Sequence, residues 1–170
     1  MVRSAQAIGW RSRSPAETRA LARGLAAALG SEAEGIVVSL IGPLGAGKTE
    51  FAKGVAEGLG LPAAALASPT FTIAQELPLP ARGGGPQRLV HADCYRLAGP
   101  EELEAAGLSD WLGAGTVLLA EWGDRFPEAF GPARLAVFLA EAPDGAHEIA
   151  AEAYGAGPER VLARWRERCP

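Results

Sequence analysis

The sequence predicts one α/β domain of three layers, with a central, mostly parallel sheet and a C-terminal antiparallel extension, and three observations carry that prediction. The apolar run Gly35 to Ile41 leads directly into the octapeptide GPLGAGKT at 42–49, which fills the phosphate-binding template G-x-x-x-x-G-K-[ST] at every fixed position. Further short apolar runs, 88–93 and 116–120, alternate with helical signals and end in acids, the pattern of a parallel sheet with crossover helices. Two β-prone runs, 134–141 and 147–154, flank a turn at Pro143-Asp144-Gly145 and form the antiparallel part. Together they specify a P-loop NTPase-like fold, and 170 residues suit a single domain spanning 1–170.

Each element has a local reason. Ser14-Pro15-Ala16-Glu17 starts the first helix: Ser14 caps, Pro15 suits the first helical position and Glu17 completes a capping box. Leu21, Leu25 and Leu29 share one face, and Gly30 ends the helix. After the strand and phosphate loop, a helix from Thr49 to about Leu59 turns Phe51, Val55 and Leu59 inward and closes at Gly60 and Pro62. Ser68 to Ile73 reads as a proline turn and a β-prone run, and Leu77 to Gln87 as an exposed hairpin tip rich in Pro and Gly. Arg88 to Asp93 reads as a strand, Pro100 to Ala106 as a short acidic helix, and Thr116 to Ala120 as a buried strand ending in Glu121-Trp122. Pro158 to Arg168 reads as a closing helix with its basic residues late, where the helix dipole favours them.

The octapeptide has a specific physics. Its glycines let successive backbone N–H groups turn inward around phosphate oxygens, and the helix that follows aims its positive end at the anion. Gly42, Gly45, Ala46 and Gly47 form this cradle, Lys48 places a mobile positive charge near the β and γ phosphates, and the Thr49 hydroxyl can ligate Mg²⁺. Of 16 basic residues only Lys48 and Lys53 are lysines, so an arginine-biased chain has placed a lysine where phosphate chemistry requires one.

Hydrolysis also needs acids at neighbouring strand ends. Glu121 ends its run in the manner of a Walker B acid and can hold Mg²⁺ directly or through water; the alternative is an ordinary strand-end acid. Asp93 can support the metal shell or polarise an attacking water, and the alternative is a turn or cap acid. Thr70 can approach the γ phosphate or simply cap the Pro69 turn. His91, alone among apolar neighbours, reads as packed. Trp122 suits core packing or a contact near the site, and Ser14, foremost a cap, can also meet a ligand.

Composition narrows the function. A net charge of −4 and a pI near 5.3 give no general basic field for nucleic acid, so any RNA connection runs through a partner. Cys94 and Cys169 have neither metal spacing nor a disulfide framework and read as free thiols of a reducing compartment. The opening segment carries Arg3, Arg11 and Arg13 without a sustained apolar stretch, and no run reaches the length of a membrane span, so a cytoplasmic protein is expected. Absence of asparagine removes the N-K-x-D guanine-reading motif and favours ATP. A small-molecule kinase is the alternative, with Arg82 and Arg88 flanking a candidate lid.

The motifs GPLGAGKT at 42–49, SPTFTI at 68–73, HADCYRL at 91–97, PEELEAAGL at 100–108 and LLAEW at 118–122 closely resemble, in order and spacing, the bacterial TsaE (YjeE) family. The resemblance implies an ATPase required for threonylcarbamoyladenosine beside the anticodon of tRNA. It also implies an accessory role, in which ATP hydrolysis drives or resets the TsaB and TsaD proteins and tRNA is met only through that assembly. By motif position it implies that Lys48 and Thr49 bind phosphate and Mg²⁺, Glu121 is the metal-side acid, Asp93 serves hydrolysis and Thr70 belongs to a switch-like loop. Trp122 gains a functional reading, and Ser14 lies beside the nucleotide. Glu50 departs from the small hydroxyl residue the family more often carries, Cys94 from an aliphatic one, and the loop 77–87 is longer than typical. With no cis arginine finger evident, turnover alone should be slow.

Overall fold

The computed structural model describes residues 7–67 and 72–169. Seven strands form one sheet: β1 (Ile8–Ser12), β2 (Ile36–Ile41), β3 (Ala74–Pro78), β4 (Arg88–Asp93), β5 (Thr116–Glu121), β6 (Arg134–Glu141) and β7 (His147–Tyr154). Their order is β1-β7-β6-β2-β5-β4-β3. The pairs β6–β2, β2–β5 and β5–β4 are parallel, whereas β7–β6, β1–β7 and β3–β4 are antiparallel. The expected parallel centre and C-terminal antiparallel extension are both present, and β1 adds an N-terminal strand to that extension.

Helices α1 (Pro15–Leu29), α2 (Lys48–Gly58) and α5 (Ala156–Arg168) cover one face, and α3 (Pro100–Ala106) with α4 (Leu108–Trp111) covers the other. β2 and β5 lie in the middle and are buried on both faces, which is why they read as continuous apolar runs. Trp165 of α5 packs against Phe51 of α2 and Trp10 of β1, with ring centroids 5.9 and 4.1 Å away. Its indole N–H donates to the Leu21 carbonyl at 3.0 Å, tying three helices and the first strand together.

Ser14 caps α1, accepting from the Glu17 amide at 3.1 Å, and Glu17 reaches back to the Arg13 amide at 2.7 Å. One boundary is corrected. Thr72 and Ile73, the described part of the β-prone run, precede the third strand, and β3 extends into the segment read as a hairpin tip. As the sheet's edge, β3 uses one side of its backbone for pairing, so it tolerates Pro78 without an alternating apolar pattern. Ser68 to Phe71, including Thr70, lie outside the described residues.

Candidate nucleotide site

The carboxyl ends of β2, β4 and β5 converge because the three strands are parallel neighbours, and Asp93 and Glu121 are direct cross-strand partners. The loop after β2 folds over this edge. Gly45 and Gly47 take left-handed backbone angles (φ 80° and 96°), and a Cβ on Gly42 would sit 2.2 Å from the Leu139 carbonyl oxygen. Gly42, Gly45, Ala46 and Gly47 thus form a backbone loop, and α2 begins at Lys48.

A cleft of about 360 Å³ is bounded by Gly45, Gly47, Lys48, Thr49, Asp93, Tyr95, Glu121 and Trp122. The Lys48 ammonium donates to the carbonyls of Gly42 and Pro43, both at 2.7 Å, and lies 4.4 Å from the centre of the Trp122 ring. Burial depresses its pKa below the ordinary lysine range, against the opposing pull of Glu121, Asp93 and Asp124. The Thr49 hydroxyl lies 3.4 Å from Oε1 of Glu121, so two hard oxygen donors point at one place. That donor chemistry fits Mg²⁺, which takes few protein ligands and completes its shell with phosphate and water oxygens.

His91, read from sequence as packed, is fully buried, and its Nε2 is 2.9 Å from the same Glu121 oxygen. It stands two residues before Asp93 on β4 and thus on the same face, so packing and orientation of Glu121 are one role. Asp93 unites its two readings: one carboxylate oxygen accepts from the Tyr95 amide at 2.9 Å, a turn contact, while the residue lines the cleft. Trp122 is half-buried and meets both readings: it packs against the core cluster of the α3–α4 face and lines the cleft, its ring tilted against Tyr95 with centroids 5.0 Å apart. Glu50 also lines this cleft but is paired with Arg19 at 2.7 Å and Lys53 at 3.0 Å, and its carboxyl is held below the usual range chiefly by the Arg19 hydrogen bond. It therefore does not crowd Thr49 with an unpaired charge.

A second cleft, about 270 Å³, opens on the other side of Gly47 between Ser14, Glu50, Gly145 and His147. Ser14 reaches it because β1 pairs with β7, placing Ser12 opposite His147. His147 carries no sequence signal; only the pairing of strands far apart in the chain brings it to the loop, where Nδ1 lies 2.8 Å from the Ala46 carbonyl oxygen. Arg88 does not form a lid over the site. It starts β4, at the opposite end from Asp93, and is tied to Thr116 at 2.7 Å and Glu76 at 3.2 Å.

Residues 12–149 match the family model described as threonylcarbamoyl adenosine biosynthesis protein TsaE. The chain is 40% identical over 148 residues to the tRNA threonylcarbamoyladenosine biosynthesis protein TsaE of Bacillus subtilis, covering 87% of each chain. It is 38% identical over 116 residues to the protein of that name from Treponema pallidum, covering 68% of this chain and 81% of the relative. The crystal structure of Bacillus subtilis YdiB superimposes with a TM-score of 0.72 at 34% identity, covering 100% of this chain and 99% of the other.

Proposed function

Since the chain belongs to the TsaE family, we propose that it acts in threonylcarbamoyladenosine modification of tRNA as a slow, Mg²⁺-dependent ATPase that drives or resets TsaB and TsaD. The observation that carries this reading is the meeting of Lys48, Thr49, Asp93 and Glu121 in one cleft over a phosphate loop. In it, the loop amides and Lys48 bind the β and γ phosphates, and Thr49 with Glu121 holds Mg²⁺. The ion supplies charge neutralisation on the phosphate oxygens. His91 keeps the Glu121 carboxylate aimed. Asp93 orients a water and accepts its proton as the water oxygen bonds to the γ phosphorus and the bond to the β–γ bridging oxygen breaks, releasing ADP and phosphate.

The acidic chain meets tRNA only through its partners, and it works in the cytoplasm. Among the described residues no helix is long and apolar enough to cross a membrane. Arg125, a guanidinium close in sequence to Glu121, donates to the Cys94 and Tyr95 carbonyls, which supports slow turnover without a partner.

The test is phosphate release from ATP by the purified chain, alone and with TsaB and TsaD. We expect turnover well below ~1 s⁻¹ alone, the low end for kinases, and acceleration by the partners. Turnover at or above that rate, indifferent to both partners, would overturn the proposal. Glu121→Gln and Asp93→Asn should each lower turnover at least ~100-fold, the scale of a lost general base or charge-stabilising group, while ATP still binds.

A further inference from the structure

We propose that His147 reads the nucleotide base, its Nε2 accepting a hydrogen bond from the 6-amino group of adenine. The inference rests on the ATP reading above and adds a side chain that distinguishes the base. A triphosphate whose γ end meets Asp93 and Glu121 runs across Gly47, and its nucleoside end arrives at the second cleft, where His147 stands.

The imidazole lies against the loop, since a Cβ on Gly47 would be 3.3 Å from Nδ1. Nδ1 is 2.8 Å from the Ala46 carbonyl oxygen, and a carbonyl only accepts, so Nδ1 carries the proton. In the neutral ring Nε2 then carries a lone pair. No described residue donates to it.

The cleft's other polar side chains each already hold a partner or offer no acceptor. Ser14 accepts from the Glu17 amide, Thr18 is bonded to Ser12 at 2.8 Å, and Glu50 is held by Arg19 and Lys53. Arg13 offers only donors. The Nε2 atom of His147 is the side-chain acceptor of this cleft that has no partner among the described residues. Adenine presents a donor at position 6, whereas guanine and hypoxanthine present a carbonyl oxygen there. A lone pair facing that oxygen leaves both acceptors unsatisfied, the situation in which a polar site rejects an analogue most strongly.

Inosine triphosphate confines the change to the base edge: it keeps the ribose and triphosphate of ATP, replaces the 6-amino group with a carbonyl and adds a proton at N1. Calorimetric titration of the purified chain with each nucleotide and Mg²⁺ should show ATP binding about tenfold more tightly, the scale of one hydrogen bond made or left unsatisfied. His147→Asn retains a donor for the Ala46 carbonyl and lacks the Nε2 acceptor. It should bind the two nucleotides with nearly equal affinity, and His147→Ala should lose the preference as well. Equal binding by the parent chain would overturn the proposal, as would a preference surviving in both variants. A loss of affinity for both nucleotides with the ratio kept would leave His147 as a support of the loop and also overturn it. Binding of neither nucleotide by the parent chain would overturn the ATP reading itself.

Discussion

Trp122 is the one non-glycine residue at positive φ among those described, at φ 57° and ψ 31°. A left-handed backbone costs an ordinary residue about 1 to 2 kcal/mol. The neighbours impose it: the Trp122 amide donates to the Leu40 carbonyl at 3.0 Å, and Gly123 passes so close to Ser39 that a Cβ would come within 2.7 Å of its hydroxyl. The turn places the indole over Lys48, so backbone strain and site geometry have one cause. Trp122→Gly should therefore unfold at higher urea than Trp122→Ala, by about 1 kcal/mol, reversing the usual order of these residues. Both should weaken ATP binding alike. The Cys94 thiol is pushed up to about 12, first by burial. It should resist iodoacetamide in the native protein while the partly exposed Cys169 reacts, and mass spectrometry before and after urea would show the difference.

Helices α1 and α2 meet along a seam of small residues that apolar periodicity does not reveal. A Cβ on Gly54 would lie 2.6 Å from the Arg19 carbonyl oxygen and 2.7 Å from the Ala22 Cβ, and one on Gly58 would lie 2.4 Å from the Ala26 Cβ. Alanine normally stabilises a helix interior relative to glycine by about 1 kcal/mol. Here Gly54→Ala should instead destabilise by about 1 to 3 kcal/mol, measured by urea unfolding, because the helices must part. Elements with local causes were legible in the sequence: the Ser14 cap, the phosphate loop and the acids ending β4 and β5 all follow from neighbouring residues. Features that depend on distant pairing were not. β1 exists because Ile8 to Ser12 finds β7 about 140 residues away, and β3 begins later than its propensity suggests because an edge strand answers to its partner β4. The roles of His91 and His147 are hidden for the same reason, since each is defined by an oxygen on another element.

At the scale of the whole molecule, the two clefts draw on nearly every connection at one edge of the sheet: Ser14 before α1, the loop before α2, the ends of β4 and β5, and the start of β7. On the proposed function, a nucleotide bound there would bridge the parallel centre and the antiparallel extension, and its binding free energy would add to the stability of the folded chain as one unit. At a free concentration 100 times Kd the gain is about 2.7 kcal/mol. In a domain of this size that corresponds to a rise in Tm of about 5 to 11 °C. Lys48→Ala should abolish most of the rise, because the β and γ phosphates lose their principal counter-charge. It should change the nucleotide-free Tm little, because its two hydrogen-bond partners are carbonyls of the loop itself and burial already disfavours its charge. Differential scanning calorimetry with and without Mg²⁺-ATP separates the two roles. A variant whose nucleotide-free Tm has fallen by as much as the ATP shift it lost would place Lys48 among the residues that hold the loop folded, and take it out of the phosphate-binding role.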